Sequence, residues 1–375
     1  MIKNSFRFLA ALVVLFASLV SGHAAGDTLT VDTAVCKAPH VSRHQLKNKF
    51  LNRLYERIKD FSRVDTTYIE PQKYNFTAMI QNTHTFEYYQ LTSKNGHVIE
   101  FSPEPSVKLG PYFGWRWIFL GYTIDLTHLS GSDNRQDFDI SLYSNQIGID
   151  LFWRKSGDNY KIKRFTLGQD IDTRAMKNAD FNGFKSSIKG FNLYYIFNHK
   201  KFSYPAAYSQ STIQRKSAGS PLIGFGYTRH RVDIDWEKLD GLISDRLGSQ
   251  FSVEQIDSGM RFDNVEFRDF SFSGGYAYNW VFARNWLFDA SLSVGISYKR
   301  STGDVDRGGI LFRDFDFRNI NVDGVSRLGI VWNNMRWYFG SSAIFHSYNY
   351  KKRQFRTNTT FGSVNIYVGY NFGKR

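Results

Sequence analysis

Residues 285–300 read NWLFDASLSVGISYKR and divide into two interleaved sets. One set is Trp286, Phe288, Ala290, Leu292, Val294, Ile296 and Tyr298. The other is Leu287, Asp289, Ser291, Ser293, Gly295, Ser297 and Lys299. Successive side chains of a β-strand point to opposite faces, so one face is apolar and the other almost wholly polar. From Trp286 to Tyr298 such a strand is about 40 Å long, and a tilt of roughly 40° leaves about 30 Å of height. This segment therefore predicts a strand that spans a membrane.

Similar alternation from Phe76 onward predicts an all-β fold, a transmembrane antiparallel β-barrel of about twelve strands. The predicted strands lie near residues 76–90, 97–109, 112–127, 137–153, 158–168, 184–198, 219–234, 265–282, 285–300, 318–332, 335–350 and 360–373. A change of phase between Tyr143 and Gln146 is interpreted as a β-bulge. The pair Asn333-Asn334 is typical of a tight hairpin turn, because Asn tolerates positive φ.

The predicted connections sort into a short set and a long set, as in an outer-membrane barrel with both termini in the periplasm. Short turns are expected at Gly110-Pro111, Lys155–Gly157, Ala283-Arg284 and Asn333-Asn334. Long connections are expected near 128–136, 169–183, 235–264, 301–317 and 351–359. The connection Lys200–Ala218 is long although it falls on the short side. We expect it to fold inward as a plug, unless the strand count is wrong by one pair.

The N-terminal region predicts export. Lys3 and Arg7 precede the apolar run Phe8–Val20 and a small-residue cleavage site, which together are typical of a signal peptide. The expected domains are a signal peptide (1–25), a periplasmic segment (26–70) and an outer-membrane β-barrel (71–375). Residues at helical spacing in the second segment predict a short basic amphipathic helix that lies on a membrane surface or packs on the barrel rim: Leu46, Phe50, Leu54, Ile58 and Phe61. The expected location is the outer membrane of a Gram-negative bacterium.

Composition agrees with a barrel that is apolar outside and wet inside. The 375 residues include 34 Phe, 22 Tyr and 8 Trp, yet the mean hydropathy is −0.39. The net charge of +14 implies attraction to anions, or an evenly solvated basic surface. Nucleic acid is a poor partner for an exported protein, whereas lipid phosphates or acidic glycans are better candidates. No metal-ligand spacing or cofactor motif is present, and Cys36 is the only cysteine, which excludes an internal disulfide.

Two sequence segments resemble a known family. They are Asp65-Thr66-Thr67-Tyr68-Ile69 and the loop that runs from Phe202 through Ser203, Tyr204, Pro205, Ala206, Ala207, Tyr208 and Ser209 to Gln210. Both are similar to a family of exported Bacteroidota proteins classed as a domain of unknown function and regarded as outer-membrane β-barrels. The resemblance runs from about Asp60 to the C-terminus. It implies a barrel and a host with an outer membrane, and it implies no activity, ligand or catalytic residue.

One pair of residues suggests catalysis. His128 and Ser130 continue the apolar parity of their predicted strand, so both would face lipid near its outer end. A His beside a Ser on such a strand could act as general base and nucleophile of an outer-membrane lipid esterase or deacylase. Asp125 and Asp133 are the only nearby carboxylates to orient the His. The alternative interpretation is a rim histidine and a turn serine.

Charged residues on the polar faces suggest a second site. Asp269, Asp289, Asp323, Arg327 and Arg336 are expected to face the lumen, where they would line a narrow conduit or pair with each other. The leading functional prediction is therefore non-enzymatic: a narrow or plugged porin-like channel, or a structural or interaction component. The expected partners are outer-membrane lipids and, during insertion, the barrel-assembly machinery, which would read the last strand at Tyr370 and Phe372. A soluble β-sandwich is the alternative fold.

Overall fold

The computed structural model describes residues 63–115, 118–121, 124–126, 136–157, 159–168, 171–262, 264–303, 319–351 and 355–374. Asp65–Arg375 form one compact unit. The strands are β1 (Ile69–Pro71), β2 (Tyr74–Ser93), β3 (Val98–Pro103), β4 (Ser106–Trp115), β5 (Ile118–Gly121), β6 (Ile124–Asp125), β7 (Gln136–Tyr143), β8 (Ile147–Lys155), β9 (Tyr160–Thr166), β10 (Ala179–Phe181), β11 (Phe184–Ile196), β12 (Thr212–Gln214), β13 (Ala218–Ile234), β14 (Asn264–Ala283), β15 (Trp286–Gly303), β16 (Ile320–Asn333), β17 (Trp337–Lys351) and β18 (Phe355–Lys374). The helices are α1 (Tyr204–Tyr208) and α2 (Trp236–Leu247), with single 3-10 turns at Arg174–Met176, Val253–Gln255 and Ser258–Met260. None of the helices in these ranges is long and apolar enough to cross a membrane.

A single antiparallel sheet forms the wall of the molecule. Its strand order is β4-β2-β18-β17-β16-β15-β14-β13-β11-β8-β7, and β5 and β6 follow each other along the free side of β4. Since β5 and β6 occupy the place of one strand, the wall has twelve strand positions in the part of the chain that the structure describes. The expected number of strands is confirmed.

Contacts across the interior show that this sheet curls into a barrel. Arg327 on β16 forms an ion pair with Asp150 on β8, although four strands lie between them in the sheet. The rings of Phe152 on β8 and Phe361 on β18 are 5.5 Å apart. A flat sheet would hold strands four positions apart at roughly 20 Å or more. The fold is therefore the antiparallel β-barrel that the alternation predicts.

The alternation of residues 285–300 is reproduced in the exposure of their side chains. Val294 and Ile296 are 48% and 65% exposed, whereas Asp289 and Ser297 are completely buried. The same outward apolar face recurs around the wall, and representative exposed side chains are Ile80, Leu109, Phe113, Trp153, Leu193, Phe225, Phe272, Leu292, Val322, Phe339, Ile366 and Val368. An apolar exterior and a polar interior is the reverse of a soluble sandwich.

The two ends of the barrel differ, and we name them after the segments that fill them. At the plug end, strands are joined by the turns 144–146, 284–285 and 334–336 and by the long segment 197–217. At the cap end, the connections include 94–105, 156–183 and 235–263. The turns at Ala283-Arg284 and Asn333-Asn334 are confirmed. Asn285 and Met335 adopt positive φ there, as tight hairpins require.

Four predictions on the first half of the wall are wrong. Gly110 and Pro111 form no turn but lie inside β4, between the residues that pair with β5 and those that pair with β6. The phase change after Tyr143 is not a bulge but a tight turn between β7 and β8, in which the Ile147 amide donates to Ser144 Oγ. Lys155–Gly157 lies at the cap end. The predicted strands 97–109 and 158–168 correspond largely to β3 and β9, which pair with each other and extend the sheet from the cap end of β2.

Candidate functional site

The segment 197–217 folds into the barrel and forms a plug, as expected for Lys200–Ala218. Helix α1 lies in it, and Pro205 is tolerated at its start because the first helical residue needs no N–H partner. The side chains that enter the lumen are buried: Phe202, Tyr204, Ala206 and Ala207. The Tyr204 ring contacts the rings of Tyr143, Tyr194 and Tyr208. The plug thus packs against the inner wall as a small aromatic core.

Hydrogen bonds fix the plug to three different wall strands. Tyr208 Oη donates to Asp289 Oδ1 on β15 over 2.5 Å. Gln210 Nε2 donates to Tyr367 Oη on β18 over 3.1 Å. Asn279 Nδ2 on β14 donates to the carbonyl oxygen of Ser203 over 2.9 Å. Buried polar groups are stable only when they have partners, so these bonds define one position for the plug.

A short N-terminal strand, which is not one of the wall strands, clamps the plug. β1 pairs with β12 of the plug, and the predicted domain boundary between residues 70 and 71 falls inside β1. Glu70 accepts from Lys73 Nζ at 2.6 Å and from Arg215 Nε at 2.6 Å. The Lys73 hydrogen bond, followed by the Arg215 contact, holds the pKa of the Glu70 carboxyl below its ordinary value of 4.5. This ion pair links β1 to the end of the plug.

Two ion-pair clusters occupy the middle of the lumen. In the first, Arg327 pairs with Asp150, and its guanidinium lies 4.7 Å from the Tyr194 ring. Ser141 Oγ also donates to Asp150 Oδ1 over 2.7 Å. The first cluster therefore connects β16 with β7, β8 and β11. A buried charge is tolerated only with such partners.

The second cluster is centred on Lys299 of β15. Its ammonium lies 2.6 Å from Asp323 Oδ1 and 3.4 Å from Asp269 Oδ2, and it donates to the carbonyl oxygen of Asn349 over 2.7 Å. All three charged side chains are at most 5% exposed. The ammonium thus lies between two carboxylates, and the cluster bridges strands β14 to β17.

The structure places four of the five predicted lumen residues inside the barrel and the fifth on its surface. Asp269, Asp289, Asp323 and Arg327 are all buried inside the barrel. Arg336 is exposed and lies in the turn before β17, where its Nη2 donates to Tyr370 Oη over 2.6 Å. Alternation fails there because positive φ at Met335 turns the chain out of the strand conformation.

Sequence reasoning missed two participants in these clusters. Asp150 was hidden by the bulge interpretation, although its outward neighbours Leu151 and Trp153 alternate normally from Ile147 onward. Lys299 was assigned to the inward face but not to a site. The available signal was parity: Lys299 follows Asp289 by ten residues on the same strand, so both side chains point into the lumen.

A hydrophobic cap lies over the other end of the barrel. Side chains from β2, β3, β9, β10, β11, α2 and the segment after α2 belong to one buried cluster that includes Phe101, Tyr160, Phe181, Phe184, Leu239, Ile243, Ile256, Met260 and Phe262. Asp235 caps α2 by accepting from the Lys238 amide over 3.1 Å, which lowers the pKa of its carboxyl. Trp236 Nε1 donates to the carbonyl oxygen of Phe262 over 2.8 Å. These bonds hold the cap closed on itself.

Among the cavities of the described part of the barrel, two small ones lie between the plug and the cap. One, of about 30 Å³, is lined by Ser271, Ser273, Ser293, Asp323 and Arg327 among others. The other, of about 20 Å³, is lined by Thr228, His230, Asp269 and Lys299 among others. Tyr348 borders both. Each has room for one or two waters but not for a larger solute.

The predicted catalytic pair cannot be placed. His128, Ser130 and Asp133 lie outside the described residues, as do Cys36, the signal peptide and the amphipathic helix. Asp125 lies on β6. Over the described ranges, no group of three or more His, Cys, Asp or Glu side chains is arranged to hold a metal ion.

Comparison with known families identifies the family to which this chain belongs. The family model described as a domain of unknown function (DUF4421) matches residues 63–372. The chain belongs to this family. The match runs from before β1 into the last strand, β18, and includes the plug and the cap. No curated protein matches the chain.

Solved structures similar to this DUF4421 chain are outer-membrane β-barrels. The translocator domain of the autotransporter NalP from Neisseria meningitidis is 11% identical, with 86% of this chain and 95% of that chain covered and a TM-score of 0.27. The transport unit of the autotransporter AIDA-I from Escherichia coli is 8% identical, with 80% and 90% covered and a TM-score of 0.29. The toluene transporter TodX from P. putida is 8% identical, with 80% and 91% covered and a TM-score of 0.22. Such distant likenesses say nothing about what this chain binds.

Proposed function

We propose that this protein is an outer-membrane barrel that is closed to solutes at rest and acts as a structural or interaction component rather than as an open porin. The observation that carries the proposal is the filling of the lumen along its length. The plug, the two ion-pair clusters and the cap follow each other from one end to the other, and the cavities between them are water-sized.

The exterior supports the membrane placement. Exposed apolar side chains cover the wall, and aromatic side chains gather near the plug end, among them Trp115, Trp280, Phe282, Trp337 and Phe372. Lipid-facing apolar bands bordered by aromatic girdles are the feature that distinguishes membrane barrels from soluble ones. The short turns at the plug end favour a periplasmic position for that end. Export by the N-terminal signal, a Bacteroidota host, and insertion by the barrel-assembly machinery belong to the same proposal.

The pairing of the lumen charges favours closure over conduction. A polar conduit needs charged groups that face water, whereas Lys299 is paired with Asp323 and Arg327 with Asp150, all of them buried. Breaking one member of a buried ion pair costs about 3–5 kcal/mol, so these clusters resist the rearrangement that a continuous pore would require. The plug adds further hydrogen bonds to three strands.

Planar-bilayer recording tests this proposal. The purified full chain should give no conductance steps at protein loadings where a general porin gives many. A variant in which residues 203–213 are replaced by a short Gly-Ser linker should conduct if it retains heat-modifiable gel mobility, because removal of the plug empties the plug end. If that variant does not fold, Tyr208→Ala, which deletes one anchor of the plug, provides the second comparison. Regular steps from the unmodified chain would overturn the proposal.

A further inference from the structure

Six basic side chains cluster on the outer surface of four neighbouring strands at the cap end. This basic patch consists of Lys185 and Lys189 on β11, Arg229 and Arg231 on β13, Arg268 on β14 and Arg300 on β15. All are exposed or half-buried, and all share the outward parity of the apolar wall residues. Positive charge is therefore concentrated on this part of the outer surface.

Strand register brings the cations into a continuous row. Lys189 lies opposite Arg229, Arg229 lies opposite Arg268, and Arg268 lies opposite Arg300. Like charges directly across a sheet destabilise it. A row of four therefore calls for an anion beyond those in the wall itself.

Two carboxylates hold part of this row in place without neutralising it. Glu266 accepts from Arg229 at 2.5 Å and from Arg268 at 2.9 Å. Asp233 lies 3.2 Å from Arg231. Lys185, Lys189 and Arg300 have no carboxylate within 4.0 Å among the described residues. Six cations thus face two carboxylates, which tether only three of the arginines.

The basic patch directly borders an aromatic row. Two residues nearer the plug end on each strand stand Phe191, Tyr227, Phe270 and Tyr298, which occupy matching register positions. The rings of Tyr227 and Phe270 are 4.9 Å apart. Aromatic side chains mark the boundary between the hydrocarbon and the headgroups of a membrane. The cations therefore lie at the depth of the headgroups.

We propose that the basic patch binds the phosphate groups of an anionic glycolipid in the leaflet at the cap end. This inference rests on the proposed membrane placement. Guanidinium groups match phosphate oxygens bidentately, and lysine ammoniums add point charges around them. The acyl chains of the same lipid would lie against the aromatic row and the apolar wall below it. Headgroup and chains are thus matched by adjacent surfaces on the same four strands.

Lipid binding to a matched pair of variants tests the inference. The patch variant carries Lys185→Gln, Lys189→Gln and Arg300→Gln, which leaves the ion pairs of Glu266 and Asp233 intact. The control variant removes three exposed cations at the plug end, Arg284→Gln, Arg336→Gln and Lys374→Gln. Diphosphorylated lipid A and its dephosphorylated form are titrated into detergent-solubilised protein, and retained lipid is counted by native mass spectrometry.

The expected result is a fall of at least about tenfold in affinity for diphosphorylated lipid A in the patch variant, because each basic group near an anionic surface contributes measurably. The control should stay within about twofold of the unmodified chain, and the dephosphorylated lipid should not distinguish the three proteins. If the patch variant binds diphosphorylated lipid A as tightly as the unmodified chain does, the inference is overturned. It is also overturned if free inorganic phosphate displaces the lipid equally well from the unmodified chain and from the patch variant. If the unmodified chain needs detergent to stay in solution and shows heat-modifiable gel mobility, equal lipid binding by the variants refutes only the lipid site. If the unmodified chain shows neither property, the membrane placement itself is refuted.

Discussion

The ion pair between Arg327 and Asp150 offers the sharpest test of how the lumen is held together. Both side chains are nearly inaccessible, at 2% and 5% exposure. Replacement by Arg327→Met leaves the Asp150 carboxylate with Ser141 as its remaining side-chain donor. Loss of one partner from a buried pair costs about 3–5 kcal/mol, and the guanidinium contact with the Tyr194 ring contributes about 1 kcal/mol more. We expect the free energy of unfolding to fall by about 4–6 kcal/mol.

A double variant separates the pair from the effect of lost volume. The double variant Asp150→Asn with Arg327→Met leaves no unpaired charge, because both new side chains are neutral. The amide oxygen of the introduced Asn can still accept the hydrogen bond from Ser141. We expect it to recover most of the stability, with a coupling energy of about 2 kcal/mol or more between the two sites. Both single variants and the double variant are needed to obtain this number.

Urea unfolding in lipid vesicles, followed by tryptophan fluorescence and heat-modifiable gel mobility, measures these differences. Arg336→Met is the matched control, since it removes an exposed arginine that donates to Tyr370 on the outside of the barrel. Its effect should stay within about 1 kcal/mol. A coupling energy below about 0.5 kcal/mol, or an equal loss in the control, would falsify the idea that paired lumen charges close this barrel.

Three further predictions concern the plug and its surroundings. Tyr208→Phe removes the donor to buried Asp289 and should lower the unfolding free energy by about 1–3 kcal/mol, measured by the same urea titration, whereas no change would show that another donor replaces the hydroxyl. Gly148→Ala places a methyl group against the Tyr194 ring and should cost about 1–3 kcal/mol, and an unchanged melting temperature would contradict the packing described here. Since the pKa of Glu70 is lowered in the folded state, its contribution to the β1 clamp is present above its ordinary value of 4.5 and is lost as pH falls through its folded value, so proteolysis of the plug should increase as the pH is lowered below 4.5. Glu70→Gln should remove that pH dependence, and an unchanged dependence would refute the assignment.

Strand alternation predicted most of the wall from β11 onward because those strands are long and each has one lipid-facing side. Leu292, Val294 and Ile296 could only be placed outward once the intervening residues were polar. The first half was harder for a local reason. Short strands β7 and β8 meet at a turn whose residues, Ser144 to Gln146, also fit a bulge. A local pattern cannot distinguish a chain that reverses from one that continues.

The candidate site shows the same division. Parity identified Asp269, Asp289, Asp323 and Arg327 as inward residues, but not which of them meet. The partner of Arg327 is 177 residues away in sequence, and the partner of Asp289 is Tyr208, in a segment that alternation alone could only describe as a loop. Such pairs depend on how far the sheet curls and on how deep the plug enters. Neither quantity is encoded in the local period.

The sequence by itself determined the strand period, the apolar exterior, the wet interior and the long segment at the plug end, because each of these depends on neighbouring residues within a few ångströms along one chain. Only the tertiary structure decided that the wet interior is closed. Closure requires Arg327 and Asp150 from distant strands, the ammonium of Lys299 between two carboxylates, and a cap built from several connections to occupy the same enclosed volume. The inward direction of each charged side chain follows from its strand, but the ion pairs form only because the curvature of the sheet brings distant strands within bonding distance.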